Sequence, residues 1–146
     1  MDRQVEQLRH AALGERHEDT LDSLNDLATN LHLMGDHAEA EPLFKSAFEL
    51  RREVLGERHA DTLTSLNNLA ASLKAQGRCG EARPLYEQAL QTRREVLGEG
   101  HASTLHSMNK LADCLDGLGG EAEQARAREL REEAVAAAVS NLIDFD

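Results

Sequence analysis

Apolar positions in this chain recur on two scales. On the short scale, Leu63, Leu66, Ala70 and Leu73 fall at i, i+3, i+7 and i+10, with Leu69 beside them. That spacing predicts one buried face of a helix. On the long scale, the segment Leu55–Val96 repeats Leu13–Val54 with 24 of 42 positions identical. A third copy starts at Leu97 and matches the second at 13 of the 23 positions up to Gly119. Self-similarity at a fixed period of this length predicts stacked copies of one supersecondary unit.

Each unit reads as a helical hairpin. In the second unit Gly77 stops the first helix, because a left-handed cap position needs no Cβ. A second helix is predicted from about Cys79 to Val96, with Ala82, Leu85, Tyr86, Ala89 and Leu90 on its buried side. Pro84 falls in the first turn or so, where a missing N–H costs least. Arg93 and Arg94 fall in the last turn, where positive charge suits the helix dipole, and Asp61 suits the opposite pole of the preceding helix. Ala40 and Ala82 mark close helix crossings, with Phe44 and Tyr86 four residues on as the large partners.

The ends differ from the middle. Residues 1–12 match the end of a unit and predict a short helix lying against the first repeat. The third unit loses its aromatic after Gly119. A realignment with three extra residues puts Ala127, Leu130, Ala134 and Val135 in buried positions and Arg131 where Phe44 and Tyr86 stood. Residues 121–143 are expected to form a long capping helix, since the last unit of a stack needs a more polar outer face. The chain is thus divided as 1–12 (partial-repeat helix), 13–54, 55–96, 97–139 (divergent) and 140–146 (tail), all in a single repeat domain. The tail sequence Leu142–Asp146, LIDFD, has the apolar-acidic alternation of short adaptor-recruiting peptides, and reads more plainly as the end of the capping helix.

These positions resemble the tetratricopeptide repeat. The pattern appears as Leu24, Leu27, Ala28, Leu31, Gly35, Ala40 and Phe44, and again as Leu66, Leu69, Ala70, Leu73, Gly77, Ala82 and Tyr86. The third copy keeps Met108, Leu111, Ala112, Leu115 and Gly119. The period of 42, with LGERH between units, is similar to the kinesin-light-chain-like subgroup. The resemblance implies an all-α, right-handed α-solenoid of stacked antiparallel helix pairs, about three repeats with terminal helices. It also implies a concave groove, lined by the first helix of each unit, that binds peptides.

Composition narrows the chemistry. Leucine and alanine dominate, there is no Trp, and the formal net charge is −11. Such acidity opposes binding to nucleic acid phosphates or anionic lipid. No apolar run reaches the length of a membrane span. Cys79 and Cys114 show no ligand-type spacing, which fits a reducing compartment and a cytoplasmic location. His17, His59 and His101 recur in the loop between units. Stacked helices sit about 8–10 Å apart, so a residue used once per unit forms a ladder and does not converge on one ion. The expected role of these histidines is capping or packing at the start of each first helix. No phosphate loop, HExxH motif or nucleophile elbow is present, and the reading is a non-catalytic protein with no cofactor and no metal.

The stripe beside the core face of each first helix is the expected peptide groove. It comprises Asp22, Asn25, Thr29 and His32 in the first unit, Thr64, Asn67, Ala71 and Lys74 in the second, and His106, Asn109, Asp113 and Asp116 in the third. Asn25, Asn67 and Asn109 are one residue three times. Amides both donate and accept, so a row of them could bond an extended backbone. The other reading is that each Asn ties its helix to a neighbour. The function expected is a scaffold binding a peptide segment of a partner protein. The alternative is a self-associating or spacer segment of a larger array.

Overall fold

The computed structural model describes residues 18–143, and the side chains from residue 21 onward. The predicted N-terminal helix, His17 and the last three residues of LIDFD lie outside the described residues. Six helices run in order: α1 Glu18–Leu33, α2 His37–Leu55, α3 Ala60–Ala75, α4 Cys79–Leu97, α5 Ala102–Leu118 and α6 Glu121–Ile143. There is no strand among the described residues. The chain divides into two compact units, Met1–Gln76 and Gly77–Asp146. The border falls inside the second 42-residue unit, so the first compact unit holds α1–α3 and the second α4–α6.

The helix starts follow from local chemistry. His59 and His101 are the N-caps of α3 and α5. Each ring accepts, through Nδ1, from the backbone N–H two residues on: Asp61 at 3.0 Å and Ser103 at 3.0 Å. This satisfies one of the donors that a helix N-terminus leaves without an internal partner. The end of α5 is set by Gly119 at φ +79°, a left-handed position that a side chain would strain. Pro42 and Pro84 sit inside α2 and α4, just past the first turn, so each removes one internal helix bond.

In the first compact unit α2 packs between α1 and α3. Leu21, Leu24 and Ala28 of α1, Ala40, Leu43 and Phe44 of α2, and Leu63, Leu66 and Ala70 of α3 are buried. Ala40 is wholly buried, which leaves no room for a longer side chain at that crossing. The end of α3 is tied to the start of α2, because Ser72 Oγ donates to the His37 carbonyl at 2.9 Å and Gln76 Nε2 to Glu41 Oε1 at 2.9 Å.

In the second compact unit α5 packs against both α4 and α6. Ala82, Tyr86, Ala89 and Leu90 of α4 are buried as the periodicity predicts, while Leu85 is only half-buried. A helix is present over the span predicted for the cap, Glu121–Ile143. Ala127, Leu130 and Ala134 are buried, but Val135 is 63% exposed, which corrects its assignment to the core. The buried positions of α6 advance by three and then four residues. That stripe runs through Ala134 and leaves Val135 on the outer flank. Val139, Leu142 and Ile143 are exposed as well.

Candidate functional site

Two sets of side chains have to be told apart: those that hold helices to each other and those on the first helices that face solvent. Arg51, near the end of α2, belongs to the first set. It is buried, and its guanidinium reaches both of the other helices of its unit. Nη2 pairs with Asp22 Oδ1 of α1 at 2.7 Å. Nη1 donates to Ser65 Oγ of α3 at 2.8 Å and to the Asp61 carbonyl at 3.3 Å. The same device recurs 42 residues on. Arg93 is buried and donates through Nη1 to Ser107 Oγ at 2.8 Å and to the Ser103 carbonyl at 3.2 Å. Thr104 Oγ1 donates back to the Arg93 carbonyl at 3.4 Å. Burial lowers the pKa of the Arg93 guanidinium from its ordinary value. Arg93 is therefore an interhelix clasp rather than a surface partner of the helix dipole. Arg94 stays at the surface, pairing with Glu99 at 3.0 Å and Glu133 at 2.8 Å.

Several residues of the predicted groove stripe also make helix-to-helix contacts. Asp22 is held by Arg51, as above. Asn25 Oδ1 accepts from Asn68 Nδ2 of α3 at 3.3 Å. Thr29 is engaged within α1 itself, where its Oγ1 donates to the Asn25 carbonyl at 2.9 Å. His32 stands with its ring centroid 4.5 Å from His37 and 6.0 Å from Phe44, edge-on to both. The His32 and His37 Nδ1 atoms are 2.9 Å apart, which requires one to donate and the other, neutral, to accept. Burial, and then the neighbouring His37, lower the His32 pKa.

The rest of the stripe is more open. Thr64 is exposed and Ala71 and Lys74 are half-exposed on α3, whereas Asn67 is buried, at 7% exposure. On α5, His106 and Asn109 are exposed. Burial, followed by the charges of Lys110 and Arg93, lowers the His106 pKa. Asp113 and Asp116 converge on one cation from α6: Arg131 Nη2 lies 2.9 Å from Asp113 Oδ1 and 2.7 Å from Asp116 Oδ2. These bonds raise the Arg131 pKa.

The three asparagines are thus not equivalent. Asn25 is half-buried and tied to α3, Asn67 is buried and Asn109 is free to face solvent. Periodicity alone could not separate them, because one-letter identity says nothing of which neighbour covers each copy. Sequence reasoning also missed Arg51, Ser65, Arg93 and Ser107 as a set. The signal was present: Ser65 and Ser107 repeat identically at positions that look like a polar helix face.

No group of three or more His, Cys, Asp or Glu is placed to hold a metal among the described residues. No described helix is long and apolar enough to cross a membrane. The stripe offers hydrogen-bonding groups strung along helices, without a nucleophile and base set against each other.

Comparison with known proteins agrees with this architecture. A family model described as tetratricopeptide repeat matches residues 2–53, 19–95 and 61–138. Among solved structures, a Podosopora anserina protein described as a kinesin light chain with nearly identical TPR-like repeats is 26% identical, with a TM-score of 0.76. The match covers 94% of this chain and 65% of that one, so this chain spans about two thirds of its length. BtubC (BKLC) from P. vanneervenii is 24% identical with a TM-score of 0.76, over 94% of this chain and 56% of that one. The TPR domain of Arabidopsis FLU is 21% identical with a TM-score of 0.70, over 82% of this chain and 95% of that one. The last two show the fold alone. No curated protein matches the sequence.

Proposed function

Given that the chain belongs to the tetratricopeptide repeat family, and is of its kinesin-light-chain-like kind, we propose that it is a scaffold whose first-helix faces bind a peptide segment of a partner protein. Tetratricopeptide repeats in general mediate protein–protein interaction, and the family is typically non-catalytic. The observation that carries the peptide reading is the run of solvent-facing donors and acceptors left over once the helix clasps are made. In one compact unit these are Lys74 and Thr64, whose hydroxyl donates to the Ala60 carbonyl at 3.1 Å and keeps its oxygen as an acceptor, and in the other His106 and Asn109. A polypeptide backbone presents alternating donors and acceptors, which such side chains can match without a deep pocket. Asp22, Asn25, Thr29, His32, Asn67, Asp113 and Asp116 support those faces by their contacts or burial, and Ala71 keeps the α3 face low. Repeat boundaries at 13–54, 55–96 and 97–139 and a cytoplasmic location belong to the same proposal; two free thiols support the latter.

The test is a peptide array probed with the wild-type protein and with two variants, Thr64→Arg/Lys74→Glu and His106→Arg/Asn109→Arg. Circular dichroism establishes that each variant is folded. The expected outcome is loss of at least about tenfold in affinity for the selected peptides in one or both variants, the cost of one or two contacts. Unchanged affinity in both would overturn the reading.

The exposed apolar side chains of α6 favour a second reading. Val135, Val139, Leu142 and Ile143 are 63, 46, 78 and 70% exposed along one helix. Exposed apolar surface of this kind marks a contact face, and self-association through α6 would cover it. Light scattering over a wide concentration range distinguishes the two. A strict monomer removes the second reading, and a dimer abolished by Val139→Lys supports it.

A further inference from the structure

The two copies of the helix-end contact differ in a coordinated way. In the first compact unit Ser72 Oγ donates to the His37 carbonyl at 2.9 Å. Forty-two residues on, both positions are cysteine: Cys114 Sγ donates to the Cys79 carbonyl at 3.2 Å. A third position changes with them. Gly117 stands where the second copy has Ala75 and the first has Leu33. The Cys79 thiol occupies the space so freed, because a Cβ on Gly117 would come within 2.7 Å of the Cys79 Sγ. The chain has only two cysteines, and they fall on the two positions that touch in the other copy.

Their settings also differ in a useful way. Cys79 is half-exposed at the first residue of α4, and Cys114 is buried on α5. Burial, and then the nearby Cys114, Asp113 and Cys79, raise the pKa of the Tyr86 hydroxyl. From these contacts we propose that Cys79 and Cys114 form a reversible disulfide that bolts α4 to α5 when the chain meets a low-molecular-weight disulfide such as oxidised glutathione. The accessible Cys79 thiolate attacks one sulfur of the reagent, forming a mixed disulfide and releasing one glutathione thiolate. Cys114 then loses its proton and its thiolate attacks the Cys79 sulfur, expelling the second glutathione thiolate. Two protein thiols are oxidised by two electrons, and one reagent disulfide is reduced to two thiols. The crosslink sits at the end of α5 that carries Asp113 and Asp116, so it acts on the first-helix face of that unit whether or not a peptide binds there.

The test treats the full chain with oxidised glutathione and follows intact mass, peptide maps and melting temperature. The proposal expects a monomer lighter by two hydrogens, a Cys79–Cys114 linked peptide reversed by dithiothreitol, and a melting temperature raised by roughly 5 °C or more. Two variants copy residues that the other repeat already uses, and so keep the fold. Cys114→Ser should stop at a mixed disulfide on Cys79. Cys79→His should leave the buried Cys114 unmodified. A wild-type protein that accumulates the mixed disulfide, forms a covalent dimer, or stays reduced would each overturn the proposal.

Discussion

The second helix of the first repeat carries Phe44, whose buried ring meets the edge of His32 at 6.0 Å. At the matching position of the last repeat, Arg131 reaches Asp116 at 2.7 Å and Asp113 at 2.9 Å. One hairpin is closed by an aromatic pair and the other by a half-exposed ion pair. The interhelix arginine, by contrast, is the same in both compact units: Arg51 on Ser65 and Arg93 on Ser107, each at 2.8 Å. The difference teaches where the copies are free to change. Positions that join one hairpin to the next first helix keep their residue, and positions that close a hairpin on itself exchange one chemistry for another.

That contrast can be broken by truncation. Phe44→Ala should cost about 3–5 kcal/mol, because it removes a buried ring and leaves a cavity. Arg131→Ala should cost no more than about 1 kcal/mol, the usual worth of a solvent-screened ion pair. Urea titration of the two variants gives both numbers, and equal losses would mean that the two closures are not the alternatives described here. A smaller effect sharpens the likeness of the units. His59→Ala and His101→Ala should each lose about 1 kcal/mol as N-caps, and replacement by Asp should restore most of it. Losses well apart from one another would show that the two caps are not one device.

The smallest effect is on pH dependence. The folded-state pKa of His32 is lowered from 6.5, chiefly by burial and then by His37. A lowered value means that folding favours the neutral ring, so this stabilisation is complete above about pH 6.5 and is lost as pH falls through the folded value. His32→Gln should therefore flatten the stability profile between about pH 7 and 5, measured by denaturant midpoint. A profile unchanged by the substitution would remove His32 as a contributor.

Much of the fold was legible because helices announce themselves through spacing. Leu63, Leu66, Ala70 and Leu73 are all buried, and a helix runs over the span predicted for the cap. His59 and His101 were expected as caps, and their rings do accept from Asp61 and Ser103. The site was harder to read. Arg93 looks in sequence like any cation at a helix end, and only the serine and carbonyl brought to it from α5 show that it is buried. Asn25 and Asn109 look identical, yet Asn68 engages one and solvent the other. Val135 was misassigned although the realignment placed Ala127, Leu130 and Ala134 correctly in the core, because it lies on the outer flank of that stripe and only the packing of α6 on α5 shows how wide the buried face is.

The repeated arginine is the tie between successive hairpins. A double-mutant cycle on Arg93 and Ser107, run beside the same cycle on Arg51 and Ser65, tests it most directly. With Arg→Met and Ser→Ala changes, a coupling of about 1.5–3 kcal/mol is expected in each, the range for a hydrogen bond to a charged group. The two couplings should be similar. Strictly additive losses in either pair would contradict the claim that this contact holds one repeat to the next.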